Sequence, residues 1–267
     1  MKRLTSPSTV KELLRRYDLY ADKRLGQNFL VDEGLLGVIV RSAAPLNGET
    51  VWEVGPGLGT LSRALAQSGA NVRALEKDAR LEAVLQETLS GLPVRVEFGD
   101  ALKYDWRAVK ARLFVSNLPY NVATPLLTLL LRLGSFEKMV VLLQKEVAER
   151  MLAAPGEQAF GLLSLRTAYH ASARKVRDFP PSAFFPRPAV TSTLVEIVHN
   201  GRGDDPQLFR IIEAAFAHRR KTLRKNLEQA GWQREQILAA LAESGIPQTV
   251  RAEQLGIAAF QRLRDAL

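Results

Sequence analysis

Between residues 50 and 144, short apolar runs alternate with stretches of helical period, and this alternation leaves few folds open. The runs TVWEVG (50–55), NVRALE (71–76), VRVEF (94–98), RLFVSN (112–117) and KMVVLL (138–143) have strand length and strand composition. Segments 61–67, 79–89 and 124–133 carry helical spacing and lie between most of them. A strand–helix–strand succession of this kind makes a parallel sheet covered by helices on both faces, with right-handed crossovers. The predicted class is therefore α/β with a Rossmann-like sheet. Residues 1–49 read as an N-terminal extension with one or two helices ahead of the first core strand.

Beyond residue 144 the pattern changes twice. RTAYHASARKVRDF (166–179) and TSTLVEIVH (191–199) read as two longer strands, paired antiparallel, with the proline-rich FPPSAFFPRP (179–188) between them. After HNGRGDDP (199–206) helical periodicity returns, broken by turn signals at Gly231, Gly245-Ile246-Pro247 and Gly256. The predicted organisation is a domain over 1–200, including the extension, and a small all-α domain over 201–267.

Charge and composition narrow the function. The chain carries 37 Lys+Arg against 28 Asp+Glu, a net of +9 over 267 residues, which favours polyanions and nucleic acid above all. Cysteine is absent, which excludes disulfides, thiolate catalysis and cysteine-held metal. His170, His199 and His218 have no metal-ligand spacing, so no metal is expected. MKRLTSPSTVKELLRRYDLY lacks the apolar core of a signal peptide, and no run reaches the ~18 apolar residues of a membrane span. The expectation is a cytoplasmic protein without membrane contact, acting as a monomer.

The candidate site begins at EVGPGLGTLS (53–62), which follows the first core strand and opens a helix. Gly55, Gly57 and Gly59 allow a tight turn and close approach of a ligand. The spacing is G-x-G-x-G, with Thr60 where a dinucleotide fingerprint wants its third glycine, and Pro56 removes one N–H that would cradle phosphate. The loop thus suits a ligand without a pyrophosphate. Glu76 ends the second strand, 21 positions after Gly55, where a carboxylate can accept ribose hydroxyls. Asp100 ends the third, where it can accept an adenine amine. Any one of these could be a tight turn or a helix cap. All three at the carboxyl ends of successive strands mark an adenosine-type site.

NLPYN (117–121) closes the fourth strand beside the same crevice. The exocyclic amine of a base is a poor nucleophile because its lone pair is delocalised into the ring. The Asn117 side-chain oxygen can accept one N–H and the carbonyl of Leu118 or Pro119 the other, favouring a tetrahedral nitrogen. Pro119 stiffens the loop, and Tyr120 offers a ring face for stacking. The plain alternative is that Asn117 caps a helix and Tyr120 is core.

These segments resemble, in order and along almost the whole chain, the signatures of the small-subunit (16S) ribosomal RNA adenine dimethyltransferases, the family tied to kasugamycin sensitivity. LGQNFLVD (25–32), EVGPGLGTLS, ALEKD (74–78), GDAL (99–102), NLPYNVATPLL (117–127), SAFFPRPAVTS (182–192) and HRRKTLRKNL (218–227) carry the likeness. The resemblance implies a class I methyltransferase sheet with S-adenosylmethionine as cofactor. It places Asn28 and Leu30 against the cofactor, Gly55 under its methionine part with Gly57 also contacting it, Glu76 on the ribose, Asp100 on the adenine amine and Asn117 near the methyl. It sets Phe184 against the target base as a second aromatic, with Phe185 one position away. The implied reaction dimethylates the N6 amines of two adjacent adenosines near the 3′ end of 16S rRNA in the small ribosomal subunit. FAHRRKTLRKNL (216–227), read as helix, places Arg219, Arg220, Lys221, Arg224 and Lys225 within about two and a half turns, a nearly single-signed run suited to RNA phosphates.

Three other readings are distinguishable. A large-subunit rRNA adenine dimethylase would methylate a different RNA. A ribosome-assembly or transcription factor could retain the fold without the chemistry, against which stand the intact Glu76, Asp100 and Asn117–Tyr120. An NAD-dependent oxidoreductase fits the acid spacing but not the glycine spacing.

Overall fold

The computed structural model describes residues 3–109 and 111–267. Helix α1 (Pro7–Arg16), strand β1 (Phe29–Leu30) and α2 (Glu33–Ala43) form the N-terminal extension. Then follow β2 (Thr50–Val54), α3 (Thr60–Gln67), β3 (Asn71–Glu76), α4 (Glu82–Thr88), β4 (Val94–Phe98), β5 (Leu113–Asn117), α5 (Ala123–Leu133) and β6 (Lys138–Gln144). Next come α6 (Lys145–Leu152), α7 (Leu162–His170), β7 (Ala171–Phe179), β8 (Phe184–Phe185) and β9 (Ser192–His199). The chain ends in α8 (Pro206–Ala215), α9 (Leu223–Gln229), α10 (Arg234–Glu243) and α11 (Ile257–Ala266).

The main sheet has the order β4-β3-β2-β5-β6-β9-β7. The first five strands in that order are parallel, while β9 runs antiparallel to both β6 and β7. The alternating faces explain the near-continuous apolar character of the central strands. Phe114 of β5 and Met139, Val141 and Leu143 of β6 enter one core beneath α5, α6 and α7. Leu113, Val115, Val140 and Leu142 enter the opposite core with α2 and α3. A fully buried side chain of this size contributes about 1.5–3 kcal/mol, so both faces hold the sheet against its helices.

The chain runs outward from β2 through β3 to β4, then returns to β5 on the other side of β2. That reversal opens a crevice at the carboxyl ends of β2 and β5, where open α/β sheets take ligands.

Two elements differ from the sequence reading. RTAYH (166–170) is the end of α7 and not the start of a strand; strand structure begins only at Ala171. Leu163 of α7 packs into the sheet-side core while Leu165 and Tyr169 pack with the C-terminal helices, a two-sided burial that a helix satisfies. The basic run at 216–222 is not helical either. Helix α8 ends at Ala215, and α9 starts at Leu223 behind Thr222, whose hydroxyl caps the Lys225 N–H at 3.4 Å. The last four helices share a core built around Phe209, Ile212, Leu227, Leu241 and Phe260.

Candidate active site

The cleft at the switch point is walled by Gly26–Phe29 from the extension, Gly55 and Gly57 after β2, Glu76 and Lys77 after β3, Gly99 and Asp100 after β4, and Asn117–Val122 after β5. Asn28, Gly55, Gly57, Glu76, Asp100, Asn117, Leu118, Pro119 and Tyr120 all line it. Leu30 and Phe184 do not. Both are buried in the core under α2, and they face each other in the β1–β8 ladder. Phe185 is half-buried, and its ladder partner Phe29 is a cleft residue. The expected base-facing position of Phe184 is therefore a core position here, because its register turns the ring inward.

The glycine loop owes its shape to its neighbours. Gly55 has φ +72°, and a Cβ there would meet Pro119 Cγ at 3.0 Å. Gly57 has φ +59°, and a Cβ would press on Phe29 at 3.1 Å. The loop thus touches both the NLPY turn and the LGQNF segment.

Glu76 is buried and held by main-chain donors. Its carboxylate accepts from the N–H of Gly57 at 3.1 Å, Lys77 at 2.8 Å and Asp78 at 2.9 Å. Burial raises its pKa, opposed by these three hydrogen bonds and reinforced by the charge of Asp78. A carboxylate offers about four acceptor sites, so three are used in forming the loop and one stays open. Gln27 joins this side of the cleft by donating from Nε2 to Asp78 at 2.9 Å.

Asp100 accepts from the Leu102 N–H at 3.0 Å and from Lys77 Nζ at 2.8 Å. These two partners, Lys77 first, lower its pKa, so it stands ionised. The sequence reading misses Lys77, although its place next to Glu76 is an available signal. It is the one lysine or arginine on the cleft wall among the described residues, and it is already paired. The cleft accordingly suits hydroxyls and an amine rather than a pyrophosphate.

Asn117 closes the far end. Its Nδ2 donates to the Asn28 carbonyl at 3.1 Å, which fixes the amide and leaves Oδ1 without a donor among the described residues. The Pro119 carbonyl is taken by the Val122 N–H at 3.1 Å, whereas the Leu118 carbonyl has no donor among them. Of the two main-chain acceptors open in the sequence, Leu118 is thus the available one. Tyr120 is half-buried and its hydroxyl shares a 2.7 Å hydrogen bond with Ser192 at the start of β9, a partner with no signal in the sequence. Burial raises the Tyr120 pKa, so the phenol stays neutral.

The five basic residues of 219–225 are not brought to the cleft wall and are not equivalent. Arg219 donates to the carbonyls of Gln158 at 2.9 Å and Phe160 at 3.2 Å, tying the loop to the segment before α7. Lys221 donates to Gln229 and Arg224 to Glu228, each at 2.9 Å. Arg220 and Lys225 are exposed and have no side-chain partner among the described residues. No cluster of three or more metal-ligating side chains occurs among the described residues, and no helix among them is long and apolar enough to cross a membrane.

Comparison with known proteins places this geometry. The family description "Ribosomal RNA adenine dimethylase" matches residues 19–267. A Deinococcus radiodurans protein named ribosomal RNA small subunit methyltransferase A is 43% identical over 267 residues, spanning 99% of this chain and 91% of its own length. A protein of the same name from Azorhizobium caulinodans is 43% identical over 274 residues, spanning 96% and 92%. Among solved structures, a dimethyladenosine transferase from Plasmodium falciparum superposes with a TM-score of 0.76 at 24% identity, covering 88% of this chain and 95% of that one. The 23S rRNA methyltransferase ErmE superposes at 0.68, also at 24% identity, over 90% and 99%. At that identity the two structures establish the shared fold.

Proposed function

Because the chain belongs to the ribosomal RNA adenine dimethylase family, we propose that it transfers methyl groups from S-adenosylmethionine to the N6 amines of two adjacent adenosines near the 3′ end of 16S rRNA in the small subunit. The observation that carries the reading is the pair of free acceptors, Asn117 Oδ1 and the Leu118 carbonyl, at the end of a cleft shaped for an adenosine. The relatives that match over nearly their full length are named for the small subunit, which favours it over the large subunit as target.

The cleft residues fit the cofactor. Glu76 would take a ribose hydroxyl on its remaining acceptor site, and Asp100 the adenine amine. Gly55 and Gly57 leave room for the methionine part, and Asn28 would sit against it, with Leu30 in the core behind. Bound there, S-adenosylmethionine would supply an electrophilic methyl on a sulfonium, whose sulfur departs as a neutral thioether and needs no acid.

The rest is positioning. The target base must leave any stack to reach the cleft. Asn117 Oδ1 and the Leu118 carbonyl each accept one N–H of its amine and draw the nitrogen toward tetrahedral geometry. Tyr120 supplies a ring face held by Ser192, worth about 1–3 kcal/mol where bases stack on aromatics. No histidine lines the cleft among the described residues; the preorganised acceptors localise the amine lone pair for attack, and the methylated nitrogen then gives up its extra proton to water. Region 201–267 is proposed as the RNA-holding domain, through Arg220 and Lys225 most directly and Lys221 and Arg224 beside them. The protein would act as a cytoplasmic monomer on the subunit.

The test is labelled methyl transfer to unmethylated small and large subunits, followed by mapping of the modified bases. Label on paired adenosines of 16S rRNA supports the reading. Label confined to large-subunit RNA, or no transfer at all, would overturn it.

A further inference from the structure

We propose that Arg187, assisted by Lys11, grips the RNA backbone at the mouth of the cleft and positions the target adenosine for entry. This rests on the rRNA methylation reading above and adds a contact outside the C-terminal domain. Both ends of the loop carrying Arg187 are tied to the cleft wall. At one end Phe185 pairs with the cleft residue Phe29. At the other, Ser192 is bonded to the cleft residue Tyr120 at 2.7 Å. Arg187 lies on the short, exposed connection between these two anchors.

Its surroundings suit a phosphate. Arg187 is exposed and has no hydrogen-bond or ion-pair partner among the described residues. Prolines on either side restrict the backbone of this short segment, so little ordering is needed on binding. Lys11 of α1 is also exposed and sits with Nζ 5.4 Å from the centroid of the Phe185 ring, two residues from Arg187 in the chain. Lys11 thus lies over the aromatic that opens the Arg187 loop. A nucleotide whose base has swung into the cleft leaves its phosphates outside, and a planar guanidinium matches them with paired donors.

The experiment measures salt-dependent binding to unmethylated small subunits by Arg187→Gln, Arg187→Lys and Lys11→Gln proteins, with cofactor titration and single-turnover methylation alongside. Arg187→Gln should weaken RNA affinity about tenfold, as for removal of a charge-assisted hydrogen bond. It should lower the log–log salt slope by about 0.7–0.9. Arg187→Lys should restore the slope, Lys11→Gln should give a smaller loss of affinity, and cofactor affinity should hold throughout. A parent salt slope and parent affinity in Arg187→Gln would overturn the grip. Binding reads this out even where no methyl is transferred, so a failure of the methylation reading would be seen separately, in the parent protein's own transfer assay.

Discussion

The side-chain amide of Asn117 donates to the main-chain carbonyl of Asn28, 3.1 Å away and 89 residues earlier in the chain. The bond joins the NLPYN turn to the LGQNF segment, and it is reinforced by Asn121, which donates to the Arg24 carbonyl at 3.0 Å. The N-terminal segment thereby sets the orientation of the Asn117 amide. With Nδ2 spent on Asn28, Oδ1 is left without a partner among the described residues.

Glu76→Ala should weaken S-adenosylmethionine binding about ten- to a hundredfold, the loss of a hydrogen bond to a charged group being ~1.5–3 kcal/mol. It also frees the N–H groups of Gly57, Lys77 and Asp78, so the loop should lose order as well as its ligand acceptor. Calorimetric titration gives the affinity and hydrogen exchange at those three amides gives the loosening. Parent affinity would remove Glu76 from the site.

The basic loop should divide by role. Arg220→Gln with Lys225→Gln should lower the salt slope of RNA binding by about 0.7–0.9 for each phosphate no longer neutralised, with cofactor affinity unchanged. Arg219→Ala should instead cost roughly 1 kcal/mol of stability, a figure reduced for its exposure, because its two carbonyl partners lose their donor. Urea unfolding and salt titration of the two proteins separate these effects, and equal behaviour would return the loop to an ordinary solvated surface.

Stability should fall as pH rises from about 4.5 toward 8, through Glu53. This β2 carboxyl is 1% exposed, accepts from Ser62 Oγ at 2.5 Å, and has its pKa raised from 4.5 to about 8, chiefly by burial. The folded state holds the proton that the unfolded chain releases, so the contribution is full below the unfolded value and is lost through the folded one. The upper bound is about 5 kcal/mol, from ~1.4 kcal/mol per pH unit. Asp78 and Asp100 have lowered values and act in the opposite sense at lower pH. Comparing Glu53→Gln with the parent isolates this contribution: the variant should gain relative stability at pH 8 over pH 5. An identical pH profile in the two proteins would contradict it.

The central sheet is readable in the sequence because β5 and β6 bury both faces and bound their apolar runs with polar ends. Segment 166–170 misleads because no glycine or proline marks the junction between His170 and Ala171, and helix and strand both tolerate those residues. The 216–227 run misleads in the other direction. Charges recur at helical spacing there, but the chain turns through 216–222 to let Arg219 reach Gln158 and Phe160, a long-range demand invisible locally. Residue types at strand ends single out Glu76, Asp100 and Asn117, which the fold brings to one cleft. What they cannot reveal is occupancy: which carbonyl of NLPY is free, that Lys77 pairs with Asp100, or that Tyr120 rests on Ser192. Phe184 and Phe185 are separated only by the β1–β8 register.

The most direct test of the account is the single-turnover rate of Asn117→Ala on unmethylated small subunits, with cofactor affinity measured on the same protein. The interaction with the amine strengthens as the nitrogen becomes tetrahedral, so the loss should fall on the chemical step. The account predicts a rate lower by about a hundredfold or more, as for loss of one preorganised polar group, with S-adenosylmethionine affinity near that of the parent. Methylation by Asn117→Ala at the parent rate would contradict it and leave NLPYN as no more than the end of a strand.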